Sequence, residues 1–188
     1  PEIFMTDTKE PHFFCSDIHR ESDKLHGHQK YFNYRNKESY LSNFQKAGKE
    51  KIIGESSVFY LYSKTAAEEI HNFNPKAKII IMLREPVSYL YSLHSQYLFT
   101  LNEKVKDFKK AILLEDLRKS EGRPFYKTTQ FPSSLYYLEM ADFGLQIKRY
   151  LKYFSKDKIK IIFLTDMVNN PKKTYKETLA FLGVKNKS

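Results

Sequence analysis

Ile79-Ile80-Ile81-Met82-Leu83-Arg84-Glu85-Pro86-Val87, with Ser92 a little further on, is the stretch that decides the fold of this chain. An apolar run of strand length ends in an arginine, and a proline two residues later opens an amphipathic segment. The run does not alternate with polar residues, which predicts a strand buried on both faces, as in parallel sheets. In open parallel sheets, ligands bind in the crevice beyond the carboxyl ends of the strands, and Arg84 stands at such an end. A guanidinium is always charged and can bond two oxygens of a phosphate at once. Pro86 suits the first position of a helix reaching about residue 99. Ser92, two turns into that helix, can offer a hydroxyl toward the same crevice. The stretch reads as half of a nucleotide-phosphate site.

Working outward, Lys51 to Gly54 and residues 159–164 read as two more strands. Helices are predicted over 36–47, 64–73, 105–119 and 136–154, with a last one opened by Asn170-Pro171 and ending before Gly183. Gly48 is the expected cap of the first of these helices. Residues 119–134 read as a loop. Residues 1–35 read as an irregular, His-rich surface segment with one aromatic knot. Alternating strands and helices predict an α/β fold: a three-layer domain with a central parallel sheet flanked by helices. One domain over 1–188 is expected, incomplete at both ends, because the chain opens mid-pattern with Pro-Glu-Ile-Phe.

The 188 residues suffice for one sizeable core, and 41% hydrophobic with 15% aromatic content predicts a folded chain. The net charge of +10 favours anionic partners. The lysines are scattered among acids at helical spacing, with no arginine-rich arm, so nucleic acid is not expected. No apolar run reaches the roughly 20 residues of a membrane helix. A single cysteine, Cys15, points to a reducing compartment, and a cytoplasmic location is expected. His12, Cys15, His19, His26 and His28 cluster in sequence but lack the paired spacing of closed zinc sites, so no metal is expected.

Two more segments carry chemistry. Lys9-Glu10-Pro11-His12-Phe13-Phe14 places a carboxylate, an imidazole and a lysine within four residues. If the phenylalanines bury that cluster, the Glu10 carboxyl should titrate above its usual range, as suits a general base. Alone, the segment reads as a surface turn pinned by buried aromatics. Gly54-Glu55-Ser56-Ser57, followed by Val58-Phe59-Tyr60-Leu61-Tyr62, reads alone as a strand-to-loop transition with a cap.

Taken in order, these three segments resemble the sulfotransferases that use 3′-phosphoadenosine 5′-phosphosulfate, in the carbohydrate and bacterial branch. The tail fits the same resemblance: Gln146-Ile147-Lys148-Arg149-Tyr150-Leu151, Thr165-Asp166-Met167, Asn170-Pro171 and Phe181-Leu182-Gly183-Val184. The resemblance implies sulfuryl transfer to a hydroxyl or amine of a glycan or other small acceptor. It implies that Arg84 and Ser92 hold the 3′-phosphate of the donor and that Glu10 takes the acceptor proton. His12 would orient the acceptor or share that proton. Lys9, Glu55 and Ser56 would line the acceptor cleft. Some members carry a lysine at the position of Ser56 and an acid at that of Cys15. The family's first strand and its phosphosulfate-binding loop, with Lys and Gly-Thr-Thr-like residues, would belong before Pro1. None of Gly27, Gly48, Gly54, Gly122, Gly144 and Gly183 sits in a phosphate-loop pattern. Transfer by residues 1–188 alone is therefore expected to be weak or absent. The competing readings are a non-catalytic basic module for nucleic acid or sulfated glycan, and a nucleotide kinase on a related fold.

Overall fold

The computed structural model describes residues 2–185; the incomplete ends expected at Pro1 and Ser188 lie outside them. The strands are β1 (Ile3–Met5), β2 (Ile52–Gly54), β3 (Ile79–Leu83) and β4 (Ile159–Phe163). The helices are α1 (Ser16–His26), α2 (Lys37–Ser42), α3 (Ala66–Phe73), α4 (Pro86–Phe99), α5 (Phe108–Leu113), α6 (Glu115–Glu121), α7 (Tyr137–Met140), α8 (Phe143–Leu151), α9 (Leu164–Asn169) and α10 (Pro171–Leu182). Among the described residues all strand pairing is parallel, and the chain is an α/β protein. The described residues group into two compact units.

Among the described residues, the first unit holds 2–15, 32–84 and 148–185, and with them the four strands. The parallel pairing comes as two separate pairs, β1 with β2 and β3 with β4. Ile3 sits opposite Ile52 and Met5 opposite Gly54, while Ile79 to Leu83 run in register with Ile159 to Phe163. The apolar run of β3 is not buried on both faces as expected: Ile81 and Leu83 are buried, whereas Met82 is 56% exposed. The pleat sends neighbouring side chains to opposite faces, and only one face of β3 is covered among the described residues. Tyr150, Phe154 and Ala67 form one core cluster, with Ile79 and Ile159 packed against it. A second cluster gathers Phe14, Tyr40 and Ala66. Gly183 closes α10 with φ +78°, a left-handed cap that only glycine adopts without strain.

The second unit, Ser16–Tyr31 with Glu85–Ile147, is helical. Its core is Leu90, Tyr97, Ala111, Leu135 and Tyr137. Arg118 and Glu103 meet inside it at 2.6 Å with neither side chain exposed. Arg118 also donates to the carbonyls of Ala111 and Leu135. Glu103 accepts the backbone N–H groups of Lys104 and Val105 and the Tyr137 hydroxyl. Both terminal nitrogens of Arg118 and both Glu103 oxygens are thus hydrogen-bonded, as a buried charge requires, while Arg118 Nε has no partner among the described residues.

Several expectations are corrected. Residues 1–35 are not irregular: they contain β1 and the eleven-residue α1, whose face buries Ile18, His19 and Ser22. The helix over 36–47 ends at Ser42, where Asn43 and not Gly48 takes the cap position. The 105–119 segment is two helices, α5 and α6, meeting at Leu114. The 136–154 segment breaks between α7 and α8, where Ala141 caps the first. An additional helix, α9, follows β4 directly. Among the described residues, no helix is long and apolar enough to cross a membrane.

Candidate active site

β1 and β2 run side by side in the same direction, so the segments beyond their carboxyl ends emerge together. Those segments are Lys9–Phe14 and Glu55–Ser57, and backbone donors of the first are gripped by the second. Glu10 N–H donates to the Ser56 carbonyl at 3.2 Å. His12 N–H donates to Ser57 Oγ at 3.0 Å, and Phe13 N–H to the Tyr60 hydroxyl at 2.9 Å. Tyr60 ends a short 3₁₀ turn that begins at Val58. Its carbonyl accepts the Tyr150 hydroxyl at 2.9 Å, and Arg149 donates to the Tyr62 carbonyl at 2.6 Å.

This grip holds a backbone that would not otherwise adopt its shape. Glu10 and His12 have φ of 53° and 51°, in the left-handed region that non-glycine residues rarely occupy. Such strain costs on the order of 1–3 kcal/mol per residue and persists only where the surroundings impose it. Pro11 between them is fully buried, and the Cys15 thiol donates to the His12 carbonyl. In this loop the two side-chain ends meet. His12 Nε2 lies 3.3 Å from Glu10 Oε2. The imidazole is buried, stacked on Phe59 at 4.8 Å and edge-on to Phe32 at 5.6 Å.

The electrostatics correct one expectation. The hydrogen bond from His12 holds the Glu10 carboxyl below its usual range, helped by the charges of His12 and Lys9 against a smaller cost of partial burial. Phe13 and Phe14 do not shroud Glu10. Phe13 stacks flat on Tyr40 at 4.4 Å, and Phe14 packs edge-on to the same ring at 5.1 Å. The carboxyl pushed upward is Glu55, because burial outweighs the hydrogen bonds from Tyr60, Ser57 and Tyr40. Ser57 Oγ donates to Glu55 Oε2 at 3.0 Å, and the Tyr40 hydroxyl approaches Oε1 at 3.5 Å.

The structure brings Lys9, Glu10, His12, Glu55 and Ser56 together at the ends of β1 and β2. Lys9 and Ser56 are exposed. Arg84 closes β3 in the same unit, exposed and without an ion-pair partner among the described residues. Ser92 lies on α4 of the second unit, also exposed. Glu85, beside Arg84, is occupied as the α4 cap: it accepts the N–H groups of Val87 at 3.0 Å and Ser88 at 2.7 Å. Ser57, Tyr60, Tyr40 and Phe59 are the residues that the sequence did not assign. Tyr40 reads as helix core by its spacing with Leu41 and Phe44, and only its hydroxyl end reaches Glu55. Among the described residues, no three of His, Cys, Asp and Glu converge as a metal would need.

Comparison with known proteins adds three findings. Residues 12–188 match the Sulfotransferase domain family. The chain is 31% identical over 122 residues to Carbohydrate sulfotransferase 15 of Mus musculus, a match covering 61% of this chain and 22% of that protein. The Homo sapiens protein of that name is 30% identical, again over 122 residues. The chain thus spans 22% of the length of the curated relatives it matches. A crystal structure of a sulfotransferase from Alicyclobacillus acidocaldarius superimposes with a TM-score of 0.80 at 26% identity, covering 100% of this chain and 73% of that one.

Proposed function

The chain belongs to the Sulfotransferase domain family, and from that premise we propose that it serves transfer of a sulfuryl group from 3′-phosphoadenosine 5′-phosphosulfate to a hydroxyl or amine of a carbohydrate, with residues 1–188 alone weak in that transfer. The acceptor oxygen or nitrogen forms the new bond to sulfur, and the bond from sulfur to the bridging phosphate oxygen breaks. That oxygen keeps the electron pair, and adenosine 3′,5′-bisphosphate leaves. Glu10 receives the acceptor proton. Its carboxylate stays ionised at neutral pH because His12 and Lys9 favour the charged form. His12, held by the Phe59 ring and the Glu10 carboxylate, fixes the direction in which that carboxylate points. Positioning of this kind is a large part of what group transfer between oxygens requires.

Arg84 fits the 3′-phosphate of the donor: it is an exposed guanidinium, without an ion-pair partner among the described residues, at the carboxyl end of a parallel strand. By the family resemblance, Ser92 adds a hydroxyl to the same phosphate. Lys9 and Ser56, exposed beside Glu10, are the groups for an anionic or polyhydroxylated acceptor, with Glu55 behind them. The observation that carries the proposal is the Glu10–His12 pair, locked by backbone strain and by donors to the β2 loop. Labelled sulfate supplied in the donor nucleotide, with a chemically desulfated glycosaminoglycan as acceptor, tests it. Incorporation that disappears with Glu10→Gln supports the proposal, and incorporation indifferent to that change contradicts it.

A further inference from the structure

We propose that Glu55 is a positioning residue: through the hydroxyls of Ser57 and Tyr60 it fixes the backbone that presents Glu10. The inference rests on the reading of Glu10 as proton acceptor and deepens it. Two hydroxyls stand between Glu55 and the strained loop, and that of Ser57 works in both directions. Ser57 Oγ donates to Glu55 Oε2 at 3.0 Å and accepts the His12 N–H at 3.0 Å. The Tyr60 hydroxyl accepts the Phe13 N–H at 2.9 Å and the Phe14 N–H at 3.3 Å and lies within electrostatic reach of the Glu55 carboxyl.

A hydroxyl whose proton is committed to a carboxylate presents its lone pairs elsewhere, here to the amides of residues 12–14. The anionic acceptor therefore sets the orientation of both hydroxyls at once, and a neutral amide in its place cannot. Hydrogen bonds in such a chain polarise and strengthen one another. The groups that face Glu55 are Tyr40 from α2, Ser57 and Tyr60 from its own segment, and His12 from the neighbouring loop. Burial raises the Glu55 carboxyl above its ordinary range, and a proton added there would remove the charge that the Ser57 hydroxyl faces.

Amide hydrogen exchange on the intact chain, followed by NMR, tests this without any substrate. With Glu55→Gln, exchange at His12 and Phe13 is expected to accelerate about 10–100-fold, the loss of one charge-assisted bond, while Tm holds. Ser57→Ala should free His12 alone, and Tyr60→Phe should free Phe13 and Phe14. In the wild type, protection at His12 and Phe13 should fall as pH drops through the Glu55 titration, and Glu55→Gln should abolish that dependence. Unchanged protection in Glu55→Gln, or acceleration spread evenly over the chain, overturns the proposal. If Glu55→Gln lowers Tm, the two hydroxyl variants decide: amide-specific acceleration supports the relay, and uniform acceleration refutes it. Because none of these readouts needs turnover, failure here is distinct from absence of sulfuryl transfer.

Discussion

His12 Nε2 and Glu10 Oε2 lie 3.3 Å apart, the imidazole sealed among aromatic rings and the carboxylate about half exposed. One residue separates them in the chain, and both adopt left-handed backbone. In an extended strand the two side chains would share a face about 6.6 Å apart; in this left-handed loop their ends meet at hydrogen-bond range.

Replacing Glu10 by Gln keeps the shape and removes the base. Transfer is expected to fall by roughly 10²–10⁴-fold, the usual worth of a positioned general base. Binding of adenosine 3′,5′-bisphosphate should be unchanged, since Glu10 faces the acceptor in this account. Initial-rate kinetics with titration of the bisphosphate check both halves.

The titration of Glu10 has a definite sign. Its folded carboxyl is held below the ordinary 4.5, so its contribution to stability is present above that value and is lost as pH falls through the lowered one. Thermal melts from pH 7 to 3 should show the wild type losing more stability than Glu10→Gln below pH 4.5. The same shift places the acid limb of the rate profile below pH 4.5. A limb near pH 6 would assign the base elsewhere.

In the helical unit, Arg118 and Glu103 are both inaccessible to water. Arg118→Met leaves a carboxylate buried without its partner, at a cost of about 3–5 kcal/mol. Adding Glu103→Gln should recover much of that loss, because the stranded charge is then gone. Urea unfolding of the two single variants and the double variant measures the coupling.

The strands legible in the sequence were those with β-branched apolar runs, at 52–54, 79–83 and 159–163. β1, as short as β2, was hidden because Ile3-Phe4-Met5 lacks the paired isoleucines and closing glycine that mark β2. α1 was hidden because most of its eleven residues are polar, and only Ile18, His19 and Ser22 face inward. The break between α7 and α8 was missed because Met140, Tyr150 and Phe154 are all buried, and so keep an apolar rhythm across it. At the site, the association of Glu10 with His12 could be read from their spacing and the family likeness. The direction of the Glu10 shift could not, since it depends on Phe13 and Phe14 turning toward Tyr40. Nor could the role of Glu55, whose partners Tyr40 and Tyr60 look like core residues until their hydroxyls are placed.

The donor is recognised, in this account, by a phosphate on the ribose 3′ position held by Arg84. Calorimetric titration of the chain with adenosine 3′,5′-bisphosphate and with adenosine 5′-monophosphate tests that claim most directly. The bisphosphate should bind about 10–100-fold more tightly, the range of one charge-assisted interaction of roughly 1.5–3 kcal/mol, and Arg84→Ala should erase the difference. Equal affinity for the two nucleotides, or a preference that survives Arg84→Ala, would contradict the account.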